Sequence, residues 1–393
     1  MGEYLLPADE TAWVSERARA LGFDACGVAP AEKFPELTEY SEWLERGYAG
    51  EMKYLEDLRR ADPREAMPGV RSLIVCALHY NAERQYSTEV KWNEAGQEGP
   101  RGWISRYAWG DDYHEVLWEK LNLLTAEMRT HFMEPFEARA YADTGPIHER
   151  AAAKHAGLGW LAKNTLLINE SLGSWLFLGV ILTSLPLNPT LSSDGTPPPD
   201  RCGTCTRCLE ACPTQAIVEP YLLDASRCIS YLTIELRGAI PDELREKMGH
   251  HVFGCDICQD VCPWNRKAPR TKAPEFQPRA FECSESNVDE VGVDELAFGE
   301  PGMRSLFLPD LINIARLSPE EFRENFRGSP IKRTKWRGLV RNACIALGNA
   351  RVDRSSAAYA EMMDIMTRLS ECDDAVISES ARWALMRIQA DGD

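Results

Sequence analysis

Apolar positions recur at helical intervals over residues 8–22, and GFDACGV after them reads as a short strand. Helical spacing returns around 36–47 and over 111–132, where Val116, Leu117, Leu121, Leu124 and Met128 share one face. Ser72–Tyr80, Glu137–Ala142 and Trp175–Thr183 are short runs rich in branched and aromatic residues, which predicts strands. Helices and strands interleave, so residues 1–195 read as one mixed α/β domain. Leu187–Pro199, with its prolines and Ser192-Ser193-Asp194-Gly195, reads as a linker into a second unit, 196–270. From 271 onward a connector leads into three amphipathic faces: Trp336, Leu339, Val340, Ala343 and Leu347; Tyr359, Met362, Met363, Met366 and Leu369; Ile377, Ala381, Ala384, Leu385 and Ile388. Arg341–Asn349 resembles Glu379–Arg387, roughly 40 residues later, the period of HEAT-type helical pairs. Such a repeat presents a binding face; a plain helical cap on the core fits the pattern equally well. The expected class is α+β, ending in a HEAT-like helical unit over 271–393.

Composition adds little to this picture, and charge adds more. With 44% hydrophobic and 27% charged residues among 393, the chain can bury a sizeable core. The first residues carry neither a basic region nor an apolar one, so no signal peptide is expected. Trp175 to Leu187 is too short to span a bilayer, so no membrane partner is expected and the cytoplasm is the expected compartment. A net charge of −17 opposes general binding to phosphate backbones. That charge is unevenly spread. Residues 282–300 hold seven acidic residues and no basic one, whereas 323–341 carries Arg323, Arg327, Lys332, Arg333, Lys335, Arg337 and Arg341 against Glu324. Such a stripe suits a selective polyanion contact, or simply a solvated helix surface.

The strongest chemistry lies in the cysteines, eight of the chain's 13 falling between Cys202 and Cys262. Cys202-x2-Cys205-x2-Cys208-x3-Cys212-Pro213 is followed by a lone Cys228, then Cys255-x2-Cys258-x3-Cys262-Pro263. In two-cluster ferredoxins three closely spaced thiolates wrap one cluster, and the cysteine before the proline ligates the other. One [4Fe–4S] cluster is therefore expected on Cys202, Cys205, Cys208 and Cys262, and a second on Cys255, Cys258, Cys212 and Cys228. Structural zinc favours paired CxxC units, and disulfide frameworks belong to small secreted chains. Cys26, Cys76, Cys283, Cys344 and Cys372 show no ligand spacing and read mostly as small core residues.

RCGTCTRCLEACPTQAI, RCISYLT and FGCDICQDVCPWN resemble the epoxyqueuosine reductases, and so do ISRYAWGDDYH at 104–114, YADTGP at 141–146 and GLGWLAKNTLLI at 157–168. The cysteine block alone is shared with other ferredoxin-like proteins; all these motifs in this order are far more specific. The resemblance implies a cobalamin-binding α/β domain over 1–195, a ferredoxin-like two-cluster domain and a tRNA-binding helical repeat. It implies an oxidoreductase that reduces the epoxide of epoxyqueuosine, at the wobble position of tRNA, to the alkene of queuosine, the last step of that modification. Cobalamin is bound base-off in that family, and this chain holds no Asp-x-His-x-x-Gly motif to supply a cobalt ligand.

By the same resemblance Asp143 is the general acid, with a pKa raised by desolvation against the corrin. Read from its own surroundings, an Asp before Thr-Gly-Pro is a cap or Asx-turn residue. His114 and His148 compete as acids or serve as pocket wall. The corrinoid pocket is expected to include Arg60, Ser105, Arg106, Asp143, Lys163, Asn164, Gly173, Ser174 and Ser230, with Gly254 allowing close backbone approach. Arg60 and Lys163 suit surface ion pairs equally well. Lys332, Arg333, Lys335, Arg337 and Arg341 become the expected tRNA contacts, with Trp336 and Tyr231 as stacking or buried aromatics. The remaining partner is a low-potential electron donor, and the expected state is a monomer. Two rivals are a cobalamin-dependent reductive dehalogenase, which commonly carries a twin-arginine signal absent here, and a ferredoxin-type electron carrier, for which 195 preceding residues are excessive.

Overall fold

The computed structural model describes residues 6–92, 99–191, 195–281 and 305–390. The acidic run 282–300 with Cys283, and Ser192, Ser193 and Asp194 of the linker, lie outside the described residues. Four strands, β1 (Ala25–Pro30), β2 (Ser72–His79), β3 (Ala138–Tyr141) and β4 (Leu176–Thr183), form one sheet in the order β1-β2-β4-β3. Every neighbouring pair is antiparallel.

All eight residues of β2 are buried, as its unbroken apolar run predicts for a strand covered on both faces. On one face Ile74, Cys76 and Leu78 meet Val14 and Ala18 of α1 (Ala8–Ala20) and Leu117, Leu121, Leu124 and Met128 of α2 (Tyr113–His131). On the other, Leu73, Val75 and Ala77 meet Phe34, Met67 and the alanines 151–153 of α3 (Glu149–His155). Gly179 lets α2 lie close to β4, since a Cβ there would stand 2.7 Å from Leu121 Cδ1. This packing fixes the N-terminal ends of α2 and α3, on which the site is built.

Among the short helices of the cysteine-rich segment are α4 (Arg207–Ala211), α5 (Ile229–Ile234) and α6 (Ile257–Asp260). It is stitched firmly to the first unit. His251–Phe253 pairs in parallel with Trp103–Ile104. The buried Asp256 carboxylate accepts from Trp103 Nε1 (3.1 Å), from the Arg106 N–H (2.8 Å) and from Ser105 Oγ. Asn265 Nδ2 donates to Ser174 Oγ (2.9 Å).

Five helices follow: α7 (Leu311–Arg316), α8 (Pro319–Asn325), α9 (Lys335–Asn349), α10 (Ala357–Ser370) and α11 (Ala375–Ala390). The two similar segments fall on α9 and α11, which pack against each other; at Gly348 a Cβ would meet Ala384 Cα at 2.9 Å. From Gly338 to Gly348, α9 is buried all round, because α5 covers the side that α7 and α11 leave open. Arg341, expected on the tRNA face, is therefore fully buried. Its guanidinium donates to the carbonyls of Leu232 (2.6 Å), Leu236 (2.8 Å) and Gly238 (2.7 Å), and Asn342 Nδ2 donates to those of Thr233 and Val252. No helix among the described residues is long and apolar enough to cross a membrane.

Candidate active site

β3 ends in Tyr-Ala-Asp-Thr-Gly-Pro, and the turn holds Asp143 at a left-handed φ of 59°. That conformation costs a residue with a Cβ about 1 kcal/mol, least for Asp and Asn, and clusters at functional sites. Here it is held by the Asp143 N–H, which donates to Glu149 Oε1 at 2.6 Å. Protein surrounds the carboxylate on most sides, yet 63% of its side chain is exposed: it stands in an open recess. Tyr113 Oη donates to Asp143 Oδ2 at 2.8 Å, and His114 Nε2 lies 3.6 Å from the same oxygen.

Both partners come from the first turn of α2, which starts there because Asp112 caps it, accepting the His114 N–H. The Asp112 side chain is 2% exposed and grips two cations, His114 Nδ1 at 2.6 Å on Oδ1 and Lys332 Nζ at 2.6 Å on Oδ2. The result is an alternating row, Lys332, Asp112, His114, Asp143. Burial opposes charge throughout, and pairing wins. Burial pushes Asp112 up, but His114 and Lys332 hold it at about 2. Burial pulls His114 down, but Asp112 and Asp143 lift it to about 9. For Asp143 the His114 and Tyr113 contacts likewise outweigh burial and hold the carboxyl below its ordinary range. The expected raised pKa thus belongs to its neighbours: His114 keeps its proton, and burial, then the Asp143 charge, pushes the Glu149 carboxyl well up.

The eight cysteines lie close enough for several of their sulfurs to act on one another. Burial raises the Cys262 and Cys208 thiols first, and neighbouring sulfurs add to it: Cys202 and Cys205 act on Cys262, and Cys262 and Cys202 on Cys208. Cys228 and Cys258 act on Cys255, while Cys258 senses Cys228, Cys208 and Cys212. The crossed sets are therefore adjacent. No three His, Cys, Asp or Glu side chains among the described residues converge as round a single ion; ligands of a four-iron cluster stand further apart.

Several residues expected round a corrinoid spend their side chains on protein. Lys163 Nζ donates to the carbonyls of Gly203 (2.6 Å) and Cys205 (3.1 Å), and Asn164 Nδ2 to that of Cys258 (3.3 Å), so both brace cysteine-bearing loops. Ser105, bonded to Asp256, and Arg106, donating to the carbonyls of Ala82, Arg84 and Gln85, are buried. Ser174 is buried against Gln259 and Asn265. Gly173 (φ 72°) and Gly254 (φ 69°) allow close approach, but to protein: a Cβ would lie 2.3 Å from Asn265 Oδ1 and 2.5 Å from Ser105 Cβ, respectively. Ser230 is half-buried, its N–H directed at the Cys228 thiol. Arg60 is half-buried, its guanidinium 5.7 Å from the Tyr54 ring centre.

The basic stripe divides in the same way. Lys332, Arg333 and Arg337 reach the surface already paired, to Asp112, to Glu235 (2.9 Å) and to Asp374 (2.5 Å). Lys335 is exposed and makes no ion pair with another described residue. Trp336 Nε1 donates to the Leu317 carbonyl and Tyr231 Oη accepts the Glu51 N–H, so neither ring is a free stacking platform.

Comparison with known proteins assigns the family. A model of the 4Fe-4S double cluster binding domain matches residues 201–265, and one described as epoxyqueuosine reductase QueG, DUF1730, matches residues 60–144. The epoxyqueuosine reductase of Xanthomonas campestris pv. campestris is 36% identical over 381 residues, covering 96% of this chain and 96% of the relative. The chain belongs to the epoxyqueuosine reductase family. Its Escherichia coli K12 member is 35% identical over 371 residues, 93% of this chain and 86% of that protein. A crystal structure of epoxyqueuosine reductase with a tRNA-Tyr epoxyqueuosine-modified stem loop superposes with a TM-score of 0.79 at 30% identity, covering 97% of this chain and 90% of that one. A Bacillus subtilis epoxyqueuosine reductase, with its catalytic aspartate loop swung out of the active site, superposes at 0.78, again at 30% identity and with the same coverage.

Within this family member, sequence reasoning passed over Asp112, Tyr113, Glu149 and Arg150. The run Asp112-Tyr113-His114 opening an amphipathic helix was the available signal, since it places an N-cap carboxylate beside a first-turn histidine. Nothing in the sequence joins Lys332 to Asp112.

Proposed function

We propose that this protein reduces the epoxide of epoxyqueuosine in tRNA to the alkene of queuosine, taking electrons through two [4Fe–4S] clusters. The observation that carries the reading is collinear identity to an epoxyqueuosine reductase across 96% of both chains. The Asp143 recess beside the cysteine-rich segment supports it, since an electron carrier needs no such acid–base site. Converting an epoxide to an alkene and water consumes two electrons and two protons. Cys202, Cys205, Cys208 and Cys262 hold one cluster and Cys255, Cys258, Cys212 and Cys228 the other, each passing electrons singly.

This reading assigns a base-off cobalamin to the recess, and the chemistry of its surroundings supports that assignment. His148 Nε2 is buried without a hydrogen-bond partner among the described residues, and the Arg60 and Arg150 charges act on it. An unmet buried ring nitrogen beside two guanidiniums suits a ligand carrying amides and a phosphate. Arg60, His148, Ser230 and Asp143 would line such a ligand, while Ser105, Arg106, Lys163, Asn164, Gly173, Ser174 and Gly254 support the wall behind it. When bound, cobalamin supplies the low-potential two-electron chemistry that single-electron clusters lack. Asp143 presents a proton to the departing oxygen. Asp143 stands held below its ordinary range by His114 and Tyr113 in the open recess; covering its exposed carboxylate would exclude water and raise that pKa.

The helical unit 271–393, with α9 to α11 as a HEAT-like repeat, follows the first unit 1–195 and the cluster unit 196–270. It offers Lys335, with Lys332, Arg333 and Arg337 beside it, to the tRNA backbone. The reading places a monomer in the cytoplasm, served by a low-potential donor. Complementation tests it: in a strain lacking its own reductase, expression of this chain restores queuosine in tRNA, whereas persistent epoxyqueuosine overturns the reading.

A further inference from the structure

Two protons are consumed per epoxide, and the Asp143 carboxyl can hold one. We propose that His114 supplies the second through Asp143, and that Asp112 and Lys332 are positioning residues that keep His114 charged and aimed. The identity of the reaction rests on the functional reading above; the geometry of the row does not.

Asp112 is almost wholly shielded from water, so its charge must be met by protein, and its two oxygens have one cation each at 2.6 Å. Deprotonating His114 would leave one oxygen facing a neutral ring. Nδ1–H is thus committed to Asp112, and Nε2–H is turned to Asp143 Oδ2, 3.6 Å away. Once Asp143 has given up its proton, the Nε2–H bond breaks and an O–H bond forms on Asp143; the neutral imidazole then recovers a proton from water. No electrons move in this step. The groups acting on His114 are Asp112 from its own helix start, Asp143 from the turn after β3 and the Tyr113 ring 4.0 Å away. Glu149 of α3 is coupled to His114, and Arg150 acts through Asp143 and Glu149. Lys332 and Glu115 act through Asp112. Lys332 comes from the turn before α9, so the helical unit reaches into the proton row.

The test is a pH titration of the histidine ring nitrogens by NMR in the full chain carrying its clusters, without cobalamin or tRNA. His114 should hold its proton to about 9. In Asp112→Asn, whose amide oxygen can still cap α2, the midpoint should fall by at least one pH unit. The alkaline limb of tRNA turnover should shift with it. His114→Gln, the second variant, should cut turnover at least tenfold and remove that limb. A wild-type midpoint near 6.5, an unmoved midpoint in Asp112→Asn, or an unmoved limb would overturn the proposal. Wild-type protein inactive on tRNA, with both titrations as expected, would instead overturn the functional reading, because the titration requires no substrate.

Discussion

Asp143 is placed by backbone and neighbours together: a left-handed turn, a Glu149 carboxyl receiving its N–H, and Tyr113 and His114 on Oδ2. Asp143→Asn keeps the size and the tolerance for that turn but cannot give up a carboxylic proton. Turnover should fall by about 10²–10⁴-fold with iron content unchanged, the range of a general-acid contribution. Assay of tRNA conversion against iron per chain checks this. The His114 proton also bears on stability. The folded chain keeps it to about 9 where an unfolded chain releases it near 6.5. Its contribution is therefore complete below about 6.5 and is lost as pH rises toward 9; denaturation midpoints in that window should drop less in His114→Gln than in wild type. At this scale the cluster domain was legible because closely spaced cysteines are a local sequence pattern, and a 4Fe-4S double cluster binding domain matches residues 201–265. The pairing of His114 with Asp112 and Asp143 was only half legible: Asp112 and His114 stand two apart in sequence, while Asp143 arrives from another element.

Among elements, α9 shows why charge runs mislead. Its basic residues suggested one polyanion-binding face, but α5 packs where solvent was expected, and Arg341 lies inside, joining α9 to the carbonyls that end α5. Arg341→Met would leave three buried carbonyls without their donor and should cost about 3 kcal/mol or more, read as a lower denaturation midpoint. Lys335→Glu should do the reverse, leaving that midpoint unchanged, weakening tRNA binding and lowering its salt slope by about 1. A titration at several salt concentrations separates the two. Strands and long helices, by contrast, were legible from periodicity. β2, β4 and α2 lie within a residue or two of their expected bounds, because a strand buried on both faces and a helix with one apolar stripe write distinct patterns.

Across the whole molecule, one apolar cluster runs from Trp103 and Trp109 through Phe253 into Leu339, Ile365 and Ile377, so the cluster segment is held between the sheet unit and the helical unit. Within that arrangement Asp143 and Asp256, the neighbour of Cys255, both act on Tyr107, a juxtaposition that no local pattern encodes. The crossed cysteine sets are testable too. Cys262→Ser should disable the cluster of Cys202, Cys205 and Cys208 and leave about half the iron, with the low-temperature EPR of the reduced protein changing from a coupled pair to a single centre. Loss of the other cluster would refute the crossing. The central claim is that this protein removes one oxygen atom from a modified nucleoside in tRNA. Its most direct test is anaerobic incubation of the cluster-loaded chain with cobalamin, a low-potential reductant and epoxyqueuosine-containing tRNA, followed by mass spectrometry of the digested nucleosides. Conversion of epoxyqueuosine to queuosine, dependent on cobalamin and lost in Asp143→Asn, is the predicted result; an unchanged nucleoside with clusters intact and corrinoid bound would contradict the account.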